Sequence, residues 1–127
     1  MAVRVLAVDD SAAFRDVLTE LVEAAPGFEL VGEAASGEEA VELAADTRPD
    51  LVLMDVRLPG IDGVEAAARI RRLGRRPVIL LLTAETPPQA GDAGGDAVVD
   101  KRDLRPALLE QVAAEAALFT HPSPEEA

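Results

Sequence analysis

Along the chain a short apolar run and an amphipathic stretch alternate five times. Residues 4–9 (RVLAVD) form an apolar run ending in acid. Over 11–25, Phe14, Val17, Leu18, Leu21 and Val22 fall at helical spacing, and Pro26-Gly27 closes that helix. The segment 29–34 is rich in β formers. Ser36 and Glu39 then have capping-box spacing, which predicts a second helix through Ala45 that Pro49 stops. Residues 51–55 (LVLMD) are a third apolar run, again ending in a carboxylate. The turn LPGIDG leads to a third helix over 64–73, with Gly74 as its left-handed cap. Residues 77–83 (PVILLLT) are the most hydrophobic strand. A shorter fifth strand falls at 97–100 and a last helix at 104–118, with Pro106 tolerated in its first turn.

Strands alternating with helices, the third and fourth strands apolar throughout, predict an α/β domain with a parallel sheet covered on both faces. A chain of 127 residues suits one domain, since two would each have a marginal core. The domain is expected to span 1–119, with the polar, proline-rich 120–127 as a flexible tail or cut linker. Apolar residues make up 49% and charged residues 28%, the balance of a globular protein. The absence of cysteine rules out disulfide frameworks, thiolate metal sites and cysteine nucleophiles. A formal charge of −12 repels phosphate backbones, so direct nucleic-acid binding is not expected. Without Trp or Tyr there is little on which bases or sugars could stack. The apolar runs are too short to span a bilayer and the amino terminus does not read as a signal peptide, so a cytoplasmic protein is expected.

In open parallel sheets the site lies beyond the carboxyl ends of the strands, where the strand order reverses. Those ends carry Asp9, Asp10, Asp55, Thr83 and Lys101, the last being the only lysine of the chain. Three carboxylates in one crevice repel one another unless a cation sits among them, and hard oxygen donors in small number suit Mg²⁺. A threonine hydroxyl can donate to an oxyanion, and an ammonium adds a point charge. An aspartate so placed is equipped to become an aspartyl phosphate. Each residue taken singly has a plainer role: Asp10 as a helix cap, Thr83 in a turn, Lys101 as a solvated surface charge. Their joint placement at the strand ends favours a site.

The segments V-D-D-S (8–11), L-V-L-M-D-V-R-L-P-G-I-D-G (51–63), L-L-T-A (81–84) and V-V-D-K (98–101) resemble the receiver domain of two-component response regulators. The resemblance covers residues 3–118 and is closest in style to the NarL/LuxR class. It implies a flavodoxin-like, doubly wound, five-stranded sheet of order 2-1-3-4-5, and a phosphoacceptor at Asp55. It also implies Asp9 and Asp10 as the acidic pair organising Mg²⁺: Asp10 as direct ligand, Asp9 mainly through water, and the backbone carbonyl of Arg57 completing the site. Thr83 would bind the phosphoryl group and Lys101 would pair with one of its oxygens. The donor would be a histidine kinase or a histidine phosphotransfer protein.

The chain also departs from that pattern. The interval between Thr83 and Lys101 is about one helical turn short. With two prolines and three glycines over 85–95 it predicts a fourth helix shortened or replaced by a loop, which leaves the usual output and dimerisation face in question. Val98 stands where the family carries a switch aromatic, and Arg102 follows the lysine where many receivers have proline. Arg57 and Glu85 are placed to form a salt bridge over the phosphoryl group, or are simply solvated. The arginines at 69, 71, 72, 75 and 76 complement a helix carboxyl end. His121 falls in the tail, and the glycines of 91–95 lack the lysine of a phosphate loop. Three alternatives stay open: an adaptor that binds partners without phosphorylation switching, the amino-terminal part of a DNA-binding transcriptional regulator, and, least favoured, a phosphatase or flavin protein on a similar sheet. The receiver reading is itself compatible with a homodimer.

Overall fold

The computed structural model describes residues 2–74, 77–84 and 97–116. Among them the chain runs β1 (Val3–Val8), α1 (Ala12–Ala24), β2 (Phe28–Ala34), α2 (Gly37–Thr47), β3 (Leu51–Asp55), α3 (Gly63–Arg71), β4 (Val78–Thr83), β5 (Ala97–Asp100), a 3₁₀ turn (Lys101–Asp103) and α4 (Pro106–Glu115). The strands form one parallel sheet in the order β2-β1-β3-β4-β5. From β1 the chain steps outward to β2 and then returns to β3 on the other side, so the order reverses between β1 and β3. The expected topology is the one found. The loop expected over 85–95, the domain limit at 119, the tail from 120 and Arg75 and Arg76 lie outside the described residues.

The strand pattern sets the layers, because successive side chains point to opposite faces. Val5, Ala7, Leu51, Leu53, Leu80 and Leu82 pack with Leu18, Leu21 and Val22 of α1 and Leu109 and Ala113 of α4. Leu6, Val8, Val52, Met54, Ile79 and Leu81 pack instead with Ala40 and Ala44 of α2 and Ala66, Ala67 and Ile70 of α3. Small alanines on that side let two helices lie close to the sheet and to each other.

Helix ends follow local chemistry. The Ser11 Oγ accepts from the Phe14 N–H at 3.2 Å and starts α1. At α2 the Ser36 Oγ accepts from the Glu39 N–H at 3.1 Å, and the Glu39 carboxylate accepts from the Ala35 N–H at 2.8 Å, a capping box whose return bond lands one residue early. This helix runs to Thr47, two residues beyond the expected end, because Arg48 takes a left-handed cap (φ 49°) that glycine usually supplies. Gly74 has positive φ as expected, but α3 itself ends earlier, at Arg71. The last helix starts at Pro106 rather than 104, since Leu104 closes the preceding 3₁₀ turn.

Leu53 is fully buried in the α1–α4 layer, so Leu53→Ala is expected to cost about 3 kcal/mol in urea unfolding with an unchanged slope. A loss below about 1 kcal/mol would mean that this layer repacks around the gap.

Candidate functional site

Four strand ends converge on one rim. Asp9 follows the last residue of β1, and its N–H donates to the Ala34 carbonyl at 3.1 Å, keeping β1 and β2 parallel to their ends. Asp55 closes β3. Thr83 closes β4 and pairs in register with Asp100, the last residue of β5, so Lys101 leaves the sheet beside them. Asp9, Asp55, Thr83 and Asp100 are all buried, whereas Asp10 faces solvent.

The carboxylates of Asp9, Asp10 and Asp55 come within 4.8 Å of one another. Between two of them sits the Lys101 ammonium, whose Nζ donates to the Asp9 Oδ2 at 2.8 Å and to the Asp55 Oδ2 at 3.2 Å. The other oxygens accept from backbone: the Ser11 N–H donates to the Asp9 Oδ1 at 2.9 Å, and the Arg57 N–H to the Asp55 Oδ1 at 3.0 Å. Each oxygen of Asp9 thus accepts one hydrogen bond from the protein itself, and so does each oxygen of Asp55. Three hard oxygen donors this close are a donor set that a small divalent cation fits.

Burial pushes the Asp55 carboxyl above its ordinary pKa of 3.8. The Arg57 N–H and the Lys101 charge pull the other way, and the Asp9 charge adds to the rise. For Lys101, burial alone would lower the pKa, but the Asp9 hydrogen bond and the charges of Asp55 and Asp9 outweigh it and hold the ammonium above 10.5. Below the site, the Arg102 side chain and N–H both donate to Asp100 and hold its carboxyl down to about 2. That clasp fixes the turn that carries Lys101.

The loop from β3 to α3 is pinned just as tightly. Asp62 caps α3 by accepting from the Glu65 N–H at 2.9 Å. Gly63 lies so close to the end of β3 that a Cβ there would collide with the Asp55 carbonyl oxygen. Glu38, on the first turn of α2, accepts from the Ile61 N–H at 3.1 Å and crowds Gly60, which has φ 73°.

All five strand-end residues named from the sequence therefore lie at one edge, with Arg57 in the loop beside them. Glu85 lies outside the described residues, and with it the salt bridge considered over the site. Val98 is half-buried against the α2–α3 layer. Three contributors were not singled out from the sequence. Arg15 donates to the Asp9 carbonyl at 2.7 Å and pairs with Glu33 at 3.4 Å. Glu38 latches the loop that follows β3. The Phe14 ring lies under Lys101, with its centroid 4.1 Å from Nζ. Phe14 and Arg15 were readable as a position one turn past the helix cap, but nothing in the sequence links Glu38 to Ile61.

The sheet order and the acidic rim together define a doubly wound α/β domain of flavodoxin type. The profile of the response regulator receiver domain matches residues 5–113, and the chain belongs to that family. A protein-glutamate methylesterase/protein-glutamine glutaminase of Alkalilimnicola ehrlichii is 41% identical over 107 residues, which cover 80% of this chain and 27% of that protein. The first three such relatives are spanned over only 22–30% of their length. Among solved structures, a LuxR-family two-component response regulator from Aurantimonas superposes with TM-score 0.78 at 37% identity, covering 94% of this chain and 86% of that one. The CheX–CheY–BeF₃–Mg²⁺ complex of Borrelia burgdorferi gives 0.77 at 27%, covering 93% and 90%. The chain is a receiver domain of the two-component response-regulator type, and none of its described helices is long and apolar enough to cross a membrane.

A carboxyl whose folded-state pKa is raised penalises the fold at every pH above that value and costs nothing below its unfolded one. In metal-free buffer at about pH 7, Asp55→Asn is therefore expected to melt at a higher temperature than the wild type. The gain should shrink as the pH falls through the raised value and vanish by about pH 3. Equal melting temperatures at neutral pH would mean that Lys101 and the Arg57 N–H fully offset the burial of the charge.

Proposed function

We propose that Asp55 accepts a phosphoryl group, with Mg²⁺ required, from a histidine kinase or a histidine phosphotransfer protein. In this reading the domain catalyses both the gain and the loss of that group and switches protein contacts in the cytoplasm. The observation that carries the proposal is the Lys101 ammonium lying between Asp9 and Asp55 at a rim where three carboxylates converge.

A carboxylate oxygen of Asp55 attacks the phosphorus of the donor, the bond from phosphorus to the donor's imidazole nitrogen breaks, and that nitrogen leaves with the electron pair. The buried position of Asp55 keeps water scarce around the nucleophile. Lys101, held charged, is within reach of an oxygen of the arriving group and offsets the negative charge gathering there. Thr83, at the end of the neighbouring strand, supplies a hydroxyl to another oxygen. Asp10, the exposed carboxylate of the three, is the one offered as the direct metal ligand. Asp55 and the backbone carbonyl of Arg57 complete the set. Bound there, Mg²⁺ would neutralise phosphoryl oxygens and offset the repulsion of the acids. Loss of the group is attack by water on the same phosphorus, returning Asp55 and releasing phosphate.

Incubated with a small phosphodonor and Mg²⁺, the wild type is expected to gain a single phosphoryl adduct by intact-mass measurement, and Asp55→Ala none. Asp10→Asn should raise the Mg²⁺ concentration needed for half-maximal rate about tenfold or more. An adduct on the Asp55→Ala protein would place the chemistry elsewhere. No adduct from either a small donor or a phosphorylated histidine protein would favour an adaptor that does not switch by phosphorylation.

A further inference from the structure

Lys101 is the only lysine of the chain, and it leaves the sheet on a long, flexible stem. Its ammonium has three N–H donors, and Asp9 and Asp55 account for two of them. What lies on the remaining side is the face of Phe14, 4.1 Å from Nζ to the ring centroid. An aromatic face carries negative potential and attracts a cation most strongly where water is scarce. Water is scarce here: the Lys101 side chain is 19% exposed and Asp9 1%. The ring is itself held, being half-buried against the α1–α4 core, in a helix whose start is fixed by the bond from the Phe14 N–H to Ser11.

We propose that Phe14 is a positioning residue for Lys101, its ring face acting with Asp9 to keep the ammonium over the rim where a phosphoryl group on Asp55 would arrive. The inference rests on the phosphoacceptor reading above and extends it. A methylene-bearing side chain of similar size would fill the same space but offer no negative face. The ammonium would then spend part of its time swung towards solvent, and the rate of phosphoryl gain would fall with the time it is away.

Because the chain has one lysine, selective ¹³C labelling of lysine yields signals from Lys101 alone. In the wild type its ε-methylene protons are expected upfield of their ordinary position, as protons above an aromatic ring are. Phe14→Leu should return them to that position and slow phosphorylation of Asp55 by a small phosphodonor about fivefold, the rate equivalent of one cation–π contact. Melting temperature should change little, and Phe14→Trp, which keeps a ring face, should stay within about twofold of the wild-type rate. Unshifted ε-methylene signals in the wild type would overturn the proposal, as would a Phe14→Leu protein that reacts at the wild-type rate. A Trp variant slowed as much as the Leu variant would assign the effect to packing and also overturn it. A wild type with shifted signals that takes no phosphoryl group from any donor would instead bring down the phosphoacceptor reading, and the inference with it.

Discussion

Two carboxylates at the ends of adjacent parallel strands repel one another, by about 4 kcal/mol for unit charges 4 Å apart in a surface-like dielectric. Asp9 and Asp55 stand in that relation, both buried, and a single ammonium from Lys101 bonds to both. Much of the arrangement of the rim depends on that shared cation. It draws the end of β5 towards β1 and β3, although β4 lies between β5 and β3. It also leaves the burial of Asp55 incompletely offset, which is why that carboxyl is pushed up. With three carboxylates against one ammonium, a site balanced this way keeps a negative charge that a further cation would offset.

The stiffness behind this balance comes from the sheet, and the adjustable parts come from its loops. Every residue of β3 is buried, and β4 is buried apart from its first residue, so Asp55 and the threonine on the neighbouring strand are mounted on strands fixed by packing on both faces. Around them, Arg15 ties the Asp9 carbonyl to β2 through Glu33, and Glu38 holds the loop after Asp55 to α2. Gly63 allows α3 to begin against the backbone of Asp55 itself. The chemistry thus sits where rigid strands end and hydrogen-bonded loops begin.

Strands were legible in the sequence where burial on both faces left no ambiguity. The limits of β3 and β5 fall where the apolar runs end in carboxylates, and the strand-end rule collected Asp9, Asp10, Asp55, Thr83 and Lys101 at one edge. Helix ends were less legible. Arg48 accepts a left-handed cap that sequence rules reserve for glycine or asparagine, and so α2 runs on to Thr47. Contacts between distant residues that the strand-end rule does not cover were not legible. Phe14 reads as one more apolar position on a helix face, and only the fold brings it to a lysine 87 positions later. Glu38 likewise reads as an ordinary first-turn acid, favourable at a helix amino end whatever it touches.

The two apolar layers share strands but not side chains. Alternate residues of β1, β3 and β4 go to the α1–α4 side or to the α2–α3 side, with the hydrogen-bonded backbone as a partition between them. Among the described residues, the partition leaves the two packed layers with no buried side chain in common. The partition ends at the carboxyl rim. There Lys101 reaches Phe14 on one side, while the loop following Asp55 reaches Glu38 on the other. Among the described residues, that rim is therefore a place where a contact made on one face can be felt on the other.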